Sequence, residues 1–127
     1  MIGKIISHYE ILEKLGEGGM GVVFKAQDLK LDRFVALKFP PPTVGTDKEE
    51  RQRFIHEAKA ASAIDHNNIC NIHEIDETES GQMFIAMGYY EGETLRERIA
   101  RGPMALDHTI DIAIQIAQGL AKAHEKK

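Results

Sequence analysis

The chain has 127 residues, of which 43% are hydrophobic, so it can bury one sizeable core. Its 16 Lys and Arg against 20 Asp and Glu give a net charge of −4, which excludes a broad basic surface for nucleic acid or anionic lipid. The single cysteine, Cys70, cannot form an internal disulfide, and no Cys/His cluster has zinc-ligand spacing. We therefore expect a reducing, cytoplasmic setting and a segment without membrane contact, since no run approaches the roughly 18 apolar residues of a membrane span.

The first forty residues predict an N-terminal extension (1–8) followed by three strands. "YEILEKLG" (9–16) and "VVFKAQD" (22–28) are rich in β-branched and aromatic residues and are joined through glycines, which indicates an antiparallel pair. "DRFVALKF" (32–39) predicts the third strand. "PPPTVG" (40–45) ends it, because proline donates no ladder hydrogen bond.

An amphipathic helix is predicted next, over 46–64. Thr46 and Glu49 have the spacing of a capping box at its start. One helical face then carries apolar side chains at the expected period, namely Phe54, Ala58, Ala61 and Ile64.

The remainder predicts a hairpin and two helices. "ICNIHEIDE" (69–77) and "QMFIAMGYY" (82–90), separated by the turn-like "TESG", bring the sheet to five strands, and Cys70 is expected to be buried in the first of them. A short polar helix closed by Gly102 and Pro103 precedes a long helix over 106–127. That long helix is apolar on more than one side and therefore needs partners on more than one side.

The glycine-rich run "LGEGGMGVVFKA" (15–26) matches two nucleotide-binding architectures. A dinucleotide fold requires the glycines to open a helix, but Val22, Val23 and Phe24 favour a strand, so a dinucleotide oxidoreductase is excluded. In the other architecture the run folds as a hairpin flap over phosphates, with Val23 covering the base. An ordinary glycine-rich hairpin turn is the alternative unless partner residues occur at the expected places.

Two charged residues are such partners. Lys38 stands among apolar neighbours on the third strand, and a buried ammonium is costly unless it is paired. Glu57 borders the apolar face of the predicted helix, so we expect an ion pair that leaves Lys38 free to hold α- and β-phosphate oxygens. Taken singly, Lys38 could be a surface lysine and Glu57 a solvated helix residue. The order glycine flap, strand lysine, helix glutamate favours the phosphate site.

With these motifs the chain resembles the protein serine/threonine kinases, most closely the bacterial type, over residues 9–127. "LGEGGMGVVF" is similar to the glycine-rich loop, "VALK" to the strand-lysine motif and "RFIHEAKAASAIDHNNI" to the regulatory helix and its following loop. "FIAMGYYEGETL" resembles the last N-lobe strand with the hinge, and "LDHTIDIAIQIAQGLAKAHEKK" the long first helix of the C-lobe.

The resemblance implies an α+β, protein-kinase-like fold: a five-stranded antiparallel sheet with one regulatory helix, then the hinge and the first two helices of the C-lobe. The implied division is N-lobe 9–87, hinge 88–92 and an incomplete helical C-lobe 93–127. The implied cofactor is ATP with Mg²⁺, whose metal ligands lie outside this segment. The implied partners are ATP and, for the intact kinase, a protein substrate with Ser or Thr.

The resemblance also assigns site residues. Lys38 and Glu57 take the catalytic ion-pair roles, Leu15, Val23 and Ala36 sandwich the adenine, and Met87 is the gatekeeper beside the backbone of Gly88 and Tyr90. The ATP-binding set it implies is Leu15, Gly16, Glu17, Gly18, Gly19, Met20, Gly21, Val22, Val23, Ala36, Lys38, Met87, Gly88 and Tyr90. Two departures stand out. Gly88 replaces the usual acidic residue, which predicts a more flexible hinge, and Asn67 replaces a loop proline.

The family's catalytic and metal-binding motifs, His-Arg-Asp and Asp-Phe-Gly, do not occur in residues 1–127. We therefore expect the parent protein to transfer the γ-phosphate of ATP to Ser or Thr hydroxyls, and the segment alone to transfer little or none. The alternative is a non-catalytic nucleotide-binding or protein-interaction module. The coding sequence past the codon for Lys127 separates the two, since a stop codon there favours the module.

Overall fold

The computed structural model of the chain describes residues 1–19, 21–41 and 47–125. Within these residues one antiparallel sheet has the strand order β1-β2-β3-β4-β6-β5. The strands are β1 (Ile5–Ile6), β2 (Tyr9–Gly18), β3 (Gly21–Asp28), β4 (Arg33–Phe39), β5 (Ile72–Glu77) and β6 (Met83–Gly88). The helices are α1 (Lys48–Ser62), α2 (Leu95–Ala100) and α3 (Leu106–Glu125).

The sheet has six strands rather than the predicted five, because the N-terminal extension adds β1 to its edge. Ile5 and Ile6 pair with Glu10 and Tyr9 of β2. The N–H of Ile11 donates to the Lys4 carbonyl at 3.0 Å, which continues the contact beyond the strand. Two residues are too few to carry a strand periodicity, so this edge is stabilised by pairing and not by a recognisable pattern.

Side-chain alternation gives the sheet two different faces. One face carries the aromatic and aliphatic core, since alternate residues along each strand point to the same side. The cluster consists of Ile6, Tyr9, Ile11, Phe24, Ala26, Val35, Leu37, Phe39, Phe84 and Ala86. The opposite face is therefore presented by the residues between them on β3, β4 and β6.

Asp28 fixes the turn between β3 and β4. The residue is 3% exposed, and one carboxylate oxygen accepts hydrogen bonds from the N–H groups of Lys30 at 2.9 Å and Leu31 at 3.1 Å. Burial acts to raise the pKa of this carboxyl, but these two hydrogen bonds and the charges of His8 and Arg33 outweigh it, so the pKa lies below its ordinary value. The ionised form of Asp28 is thus part of the folded state.

The N-cap of helix α1 is Asp47 instead of the predicted Thr46. The Asp47 carboxylate accepts from the N–H of Glu49 at 2.9 Å and more weakly from that of Glu50 at 3.4 Å, which satisfies free donors of the first turn. Thr46 lies outside the described residues. The helix also ends two residues before the predicted Ile64, with Ala63 as its C-cap. An ion pair of Arg51 with Glu77 joins α1 to β5.

The described residues divide into two compact units. Residues 1–63 and 71–89 form the sheet unit, and residues 64–70 group with the chain from Tyr90 onward as the helical unit. In the helical unit, the Thr94 hydroxyl and the Glu97 carboxylate form a capping box at the start of α2. Gly119 of α3 is buried against the 64–70 loop, where Asn68 Nδ2 donates to the Gln115 carbonyl at 2.9 Å.

The helical unit exposes its cysteine and a set of large apolar side chains. Cys70 is exposed, contrary to the expected burial, because β5 begins at Ile72 and leaves Cys70 in the preceding loop. Helix α3, predicted to be apolar on more than one side, exposes large apolar side chains, namely Leu106, Ile110, Ile114, Ile116 and Leu120. None of the described helices combines the length and apolar character that crossing a membrane requires.

Candidate functional site

The glycine-rich run folds as the hairpin between β2 and β3. The register pairs Gly16 with Val23, Glu17 with Val22 and Gly18 with Gly21, so the glycines lie at the tip. Gly19 forms the turn, and Met20 lies outside the described residues. The run is therefore followed by a strand and not by a helix, which confirms the prediction that separated the two architectures.

The four described glycines of this run differ in what the fold demands of them. Gly21 has φ +115°, and a Cβ built there would lie 2.0 Å from the carbonyl oxygen of Phe39. A side chain at Gly21 is thus sterically excluded by the backbone at the end of β4. At Gly16, Gly18 and Gly19 an added Cβ would have no neighbour within 4 Å among the described residues. Packing in this part of the chain therefore gives no reason for glycine at those three positions.

The sheet register brings the predicted strand residues together on one face, opposite the hydrophobic core. Val23 of β3 pairs directly with Lys38 of β4, and Ala36 of β4 pairs with Met87 of β6. Directly paired residues share a face of the sheet. Ala36 is 6% exposed, and Lys38 and Met87 are half-buried. This face continues from the glycine hairpin to the end of β6.

A cavity of about 430 Å³ lies on the same face, beside α1. Lys38 and Glu57 both line it, together with Gly19 and Met87. The predicted ion pair is not formed, however: among the described residues, no Lys38–Glu57 pair has a nitrogen–oxygen distance within 4.0 Å. The Glu57 side chain is exposed at the edge of α1, so the two side chains line one cavity without forming the predicted contact.

The remaining predicted residues have less enclosed positions. Leu15 is 42% exposed on β2, and the Glu17 carboxylate is engaged by the ammonium of Lys14. The N–H of Gly88, the last residue of β6, donates to the Asn71 carbonyl at 2.9 Å. Tyr90 begins the second part of the helical unit and is 65% exposed as a residue.

Several cavity-lining residues were not named from the sequence as site residues. They are Pro40, Pro41, Phe54, Ala58, Ala61, Ile72 and Ile85. Strand alternation could have identified Ile85, because it pairs directly with Lys38. The α1 residues were predicted as a packing face, and the cavity shows that part of that face remains open toward the sheet.

The described residues suit a nucleotide phosphate chain but do not suit a metal ion. The open hairpin tip and the half-buried ammonium of Lys38 suit a phosphate chain, since backbone N–H groups and a cation are its usual ligands. Within residues 1–19, 21–41 and 47–125, no group of three or more His, Cys, Asp or Glu side chains could hold a metal ion. Mg²⁺ prefers carboxylate oxygens, so these residues alone do not fit it.

The glycine hairpin, the strand lysine and the helix glutamate lie around one sheet surface, and a comparison with protein families agrees with this arrangement. The family model of the protein kinase domain matches residues 9–127. The chain belongs to the protein kinase family. This kinase chain has six antiparallel strands and one helix in its sheet unit, consistent with a kinase N-lobe followed by the start of the C-lobe.

Similar proteins are bacterial serine/threonine kinases. The kinase chain is 42% identical to the serine/threonine-protein kinase PrkC of Bacillus subtilis over all of its own length and 20% of that protein. It is 38% identical to pkn3 of Myxococcus xanthus over 97% of the chain and 23% of that protein. The chain thus spans about a fifth of the length of these relatives. A crystal structure of the Mycobacterium tuberculosis PknI kinase domain matches with a TM-score of 0.85 and 28% identity, over 99% of the chain and 52% of that structure.

Proposed function

We propose that this chain is the ATP-binding part of a serine/threonine protein kinase, whose complete form transfers the γ-phosphate of ATP to Ser or Thr hydroxyls of proteins. The observation that carries the proposal is the open space at Gly16, Gly18 and Gly19. Since packing among the described residues does not require glycine there, a ligand that approaches the backbone would account for it. A phosphate chain lying against the hairpin N–H groups is such a ligand.

Lys38 and the adenine-side residues complete this proposal. The ammonium of Lys38 would hold phosphate oxygens, because it shares the sheet face of Val23 and borders the cavity that contains Glu57. Val23 and Ala36 would enclose the base, with Leu15 at the hairpin edge. The backbone at Gly88 and Tyr90 would hydrogen-bond the base edge. Glu57 would orient Lys38 once α1 brings the two side chains within ion-pair distance.

The chemical step requires groups that the described residues do not supply. ATP provides the phosphoryl group, and its transfer needs a base for the acceptor hydroxyl together with metal ligands. Neither His-Arg-Asp nor Asp-Phe-Gly occurs in the 127 residues. We infer that these residues position the nucleotide and that, on their own, they transfer little or no phosphate.

Phosphate transfer to a protein acceptor with Ser and Thr tests this function. In the complete protein that carries this chain, Lys38→Met should lower the rate at least about tenfold, since a charge-assisted hydrogen bond of about 1.5–3 kcal/mol is lost. Lys59→Met is the matched control, because Lys59 is an exposed lysine of α1 outside the cavity, and it should leave the rate unchanged. Equal rates for wild type and Lys38→Met would contradict the assignment.

A further inference from the structure

A cation and two aromatic rings meet at one end of the sheet face that carries Val23, Ala36 and Lys38. Lys25 of β3 places its ammonium 4.4 Å from the ring centre of Phe34 and 4.9 Å from that of Tyr89. The two rings lie edge to face, with centres 6.3 Å apart and an interplanar angle of 68°. Three segments of the sheet unit, β3, the start of β4 and the chain just after β6, are therefore joined by one side-chain cluster.

This cluster borders the face assigned to the adenine. Lys25 pairs directly with Ala36 and lies two residues beyond Val23, so all three side chains are on the same side of the sheet. Phe34 lies two residues before Ala36 on β4 and also belongs to that side. The cluster thus continues the surface of Val23 and Ala36 toward the end of β6.

Tyr89 is the member that connects the cluster to the hinge. The pairing of β4 with β6 runs as far as Val35 with Gly88, and Tyr89 is the next residue. The Gly88 N–H donates to the Asn71 carbonyl, and glycine contributes no side-chain contact of its own. The contacts of the Tyr89 ring with Lys25 and Phe34 therefore act where strand pairing ends and where the backbone groups that would read the base begin.

We propose that Lys25, Phe34 and Tyr89 form a hinge clamp, a set of positioning residues that holds the backbone of residues 88–90 in the conformation that binds adenine. The clamp rests on the proposed function, since it concerns the same nucleotide site. A cation over an exposed aromatic ring contributes a factor of about two to five to an equilibrium constant, and Lys25 contacts two rings. Loss of the cation should then weaken adenine binding roughly three- to tenfold.

The test compares Lys25→Gln, which removes the cation, with Lys25→Arg, which retains it. The control is Lys30→Gln, because the Lys30 ammonium has no ion pair or cation–π contact among the described residues. Affinities for ATP and for adenosine are measured by calorimetry or NMR titration in the complete protein. Amide hydrogen exchange of residues 88–90 is measured without nucleotide. Phe34→Leu, at a half-exposed position, is a second variant should Lys25→Gln fold poorly.

The clamp predicts that Lys25→Gln weakens ATP and adenosine by the same factor, speeds amide exchange at 88–90, and is rescued by arginine. An unchanged exchange rate at 88–90 in both Lys25→Gln and Phe34→Leu overturns the clamp. Weaker ATP binding with unchanged adenosine binding also overturns it, because Lys25 would then act on the phosphates. If the wild type binds neither ligand, the proposed function fails instead, and the exchange rates in the absence of nucleotide still decide for or against the clamp.

Discussion

Substitution of Gly21 by alanine should destabilise the sheet unit far more than substitution of Gly18, although both glycines belong to one hairpin. A Cβ at Gly21 would lie 2.0 Å from the carbonyl oxygen of Phe39 and 2.9 Å from the Cα of Pro40, and both are backbone atoms that no rotamer change can move. Relief requires the end of β4 to shift by about 1 Å or more from its pairing with Val22. At Gly18 the same methyl group meets none of the described residues within 4 Å.

The expected magnitude has two parts. Holding alanine at φ +115° costs about 1–3 kcal/mol, and a disturbed ladder hydrogen bond between β3 and β4 adds about 1 kcal/mol. Gly21→Ala should therefore lower the free energy of unfolding by about 2–4 kcal/mol. Gly18→Ala should change it by less than about 1 kcal/mol. Urea unfolding followed by far-ultraviolet circular dichroism measures both, and equal destabilisation of the two variants would refute the steric argument.

Three further predictions concern stability. The folded state lowers the pKa of Asp28, so the ionised carboxylate stabilises the fold above the unfolded-state pKa, and this stabilisation is lost as the pH falls below about 4. Between pH 5 and 3 the free energy of unfolding of Asp28→Asn should therefore fall less than that of the wild type. Urea unfolding at the two pH values measures the difference. A Cβ at Gly119 would lie 3.1 Å from the Asn68 carbonyl oxygen, so Gly119→Val should lower the free energy of unfolding by about 1–3 kcal/mol. Gly119→Ala should be nearly neutral, because alanine favours the helix. Thermal melts compare the two variants, and a valine variant as stable as the wild type would contradict the steric argument. Thr94→Ala removes the hydroxyl that accepts from the Glu97 N–H at 3.0 Å and should speed amide exchange in α2 by about fivefold, equivalent to about 1 kcal/mol, while Thr94→Ser should not.

The elements with a strong local signal could be predicted from the sequence. The hairpin of β2 and β3, the stop after Phe39 and helix α1 follow from glycine, proline and a helical apolar period, which act over a few residues. The capping-box spacing predicts the cap of α1 one residue too early, because Thr46 and Asp47 are both good N-caps and only the spacing to Glu49 favours Thr46. Strand β1 was missed because its two residues are held by pairing with β2.

The candidate site also has features that a local sequence pattern predicts and features that depend on tertiary packing. The common surface of Val23, Ala36 and Lys38 follows from strand alternation and was predictable. The separation of Lys38 from Glu57 depends on how α1 lies on the sheet, which no local pattern encodes. For the hinge clamp, the spacing of two residues between Val23 and Lys25 predicts that both side chains share a sheet face. It does not predict the aromatic partners of Lys25, because these come from β4 and from the end of β6.

Calorimetric titration with Mg-ATP tests the central claim most directly. We predict saturable binding of one nucleotide to the folded wild-type chain and at least about tenfold weaker binding to Lys38→Met, because the Lys38 ammonium holds the phosphates. Lys59→Met should bind as the wild type does. A folded wild-type chain without detectable binding, or a Lys38→Met variant with wild-type affinity, would contradict the assignment of this sheet face as a nucleotide site.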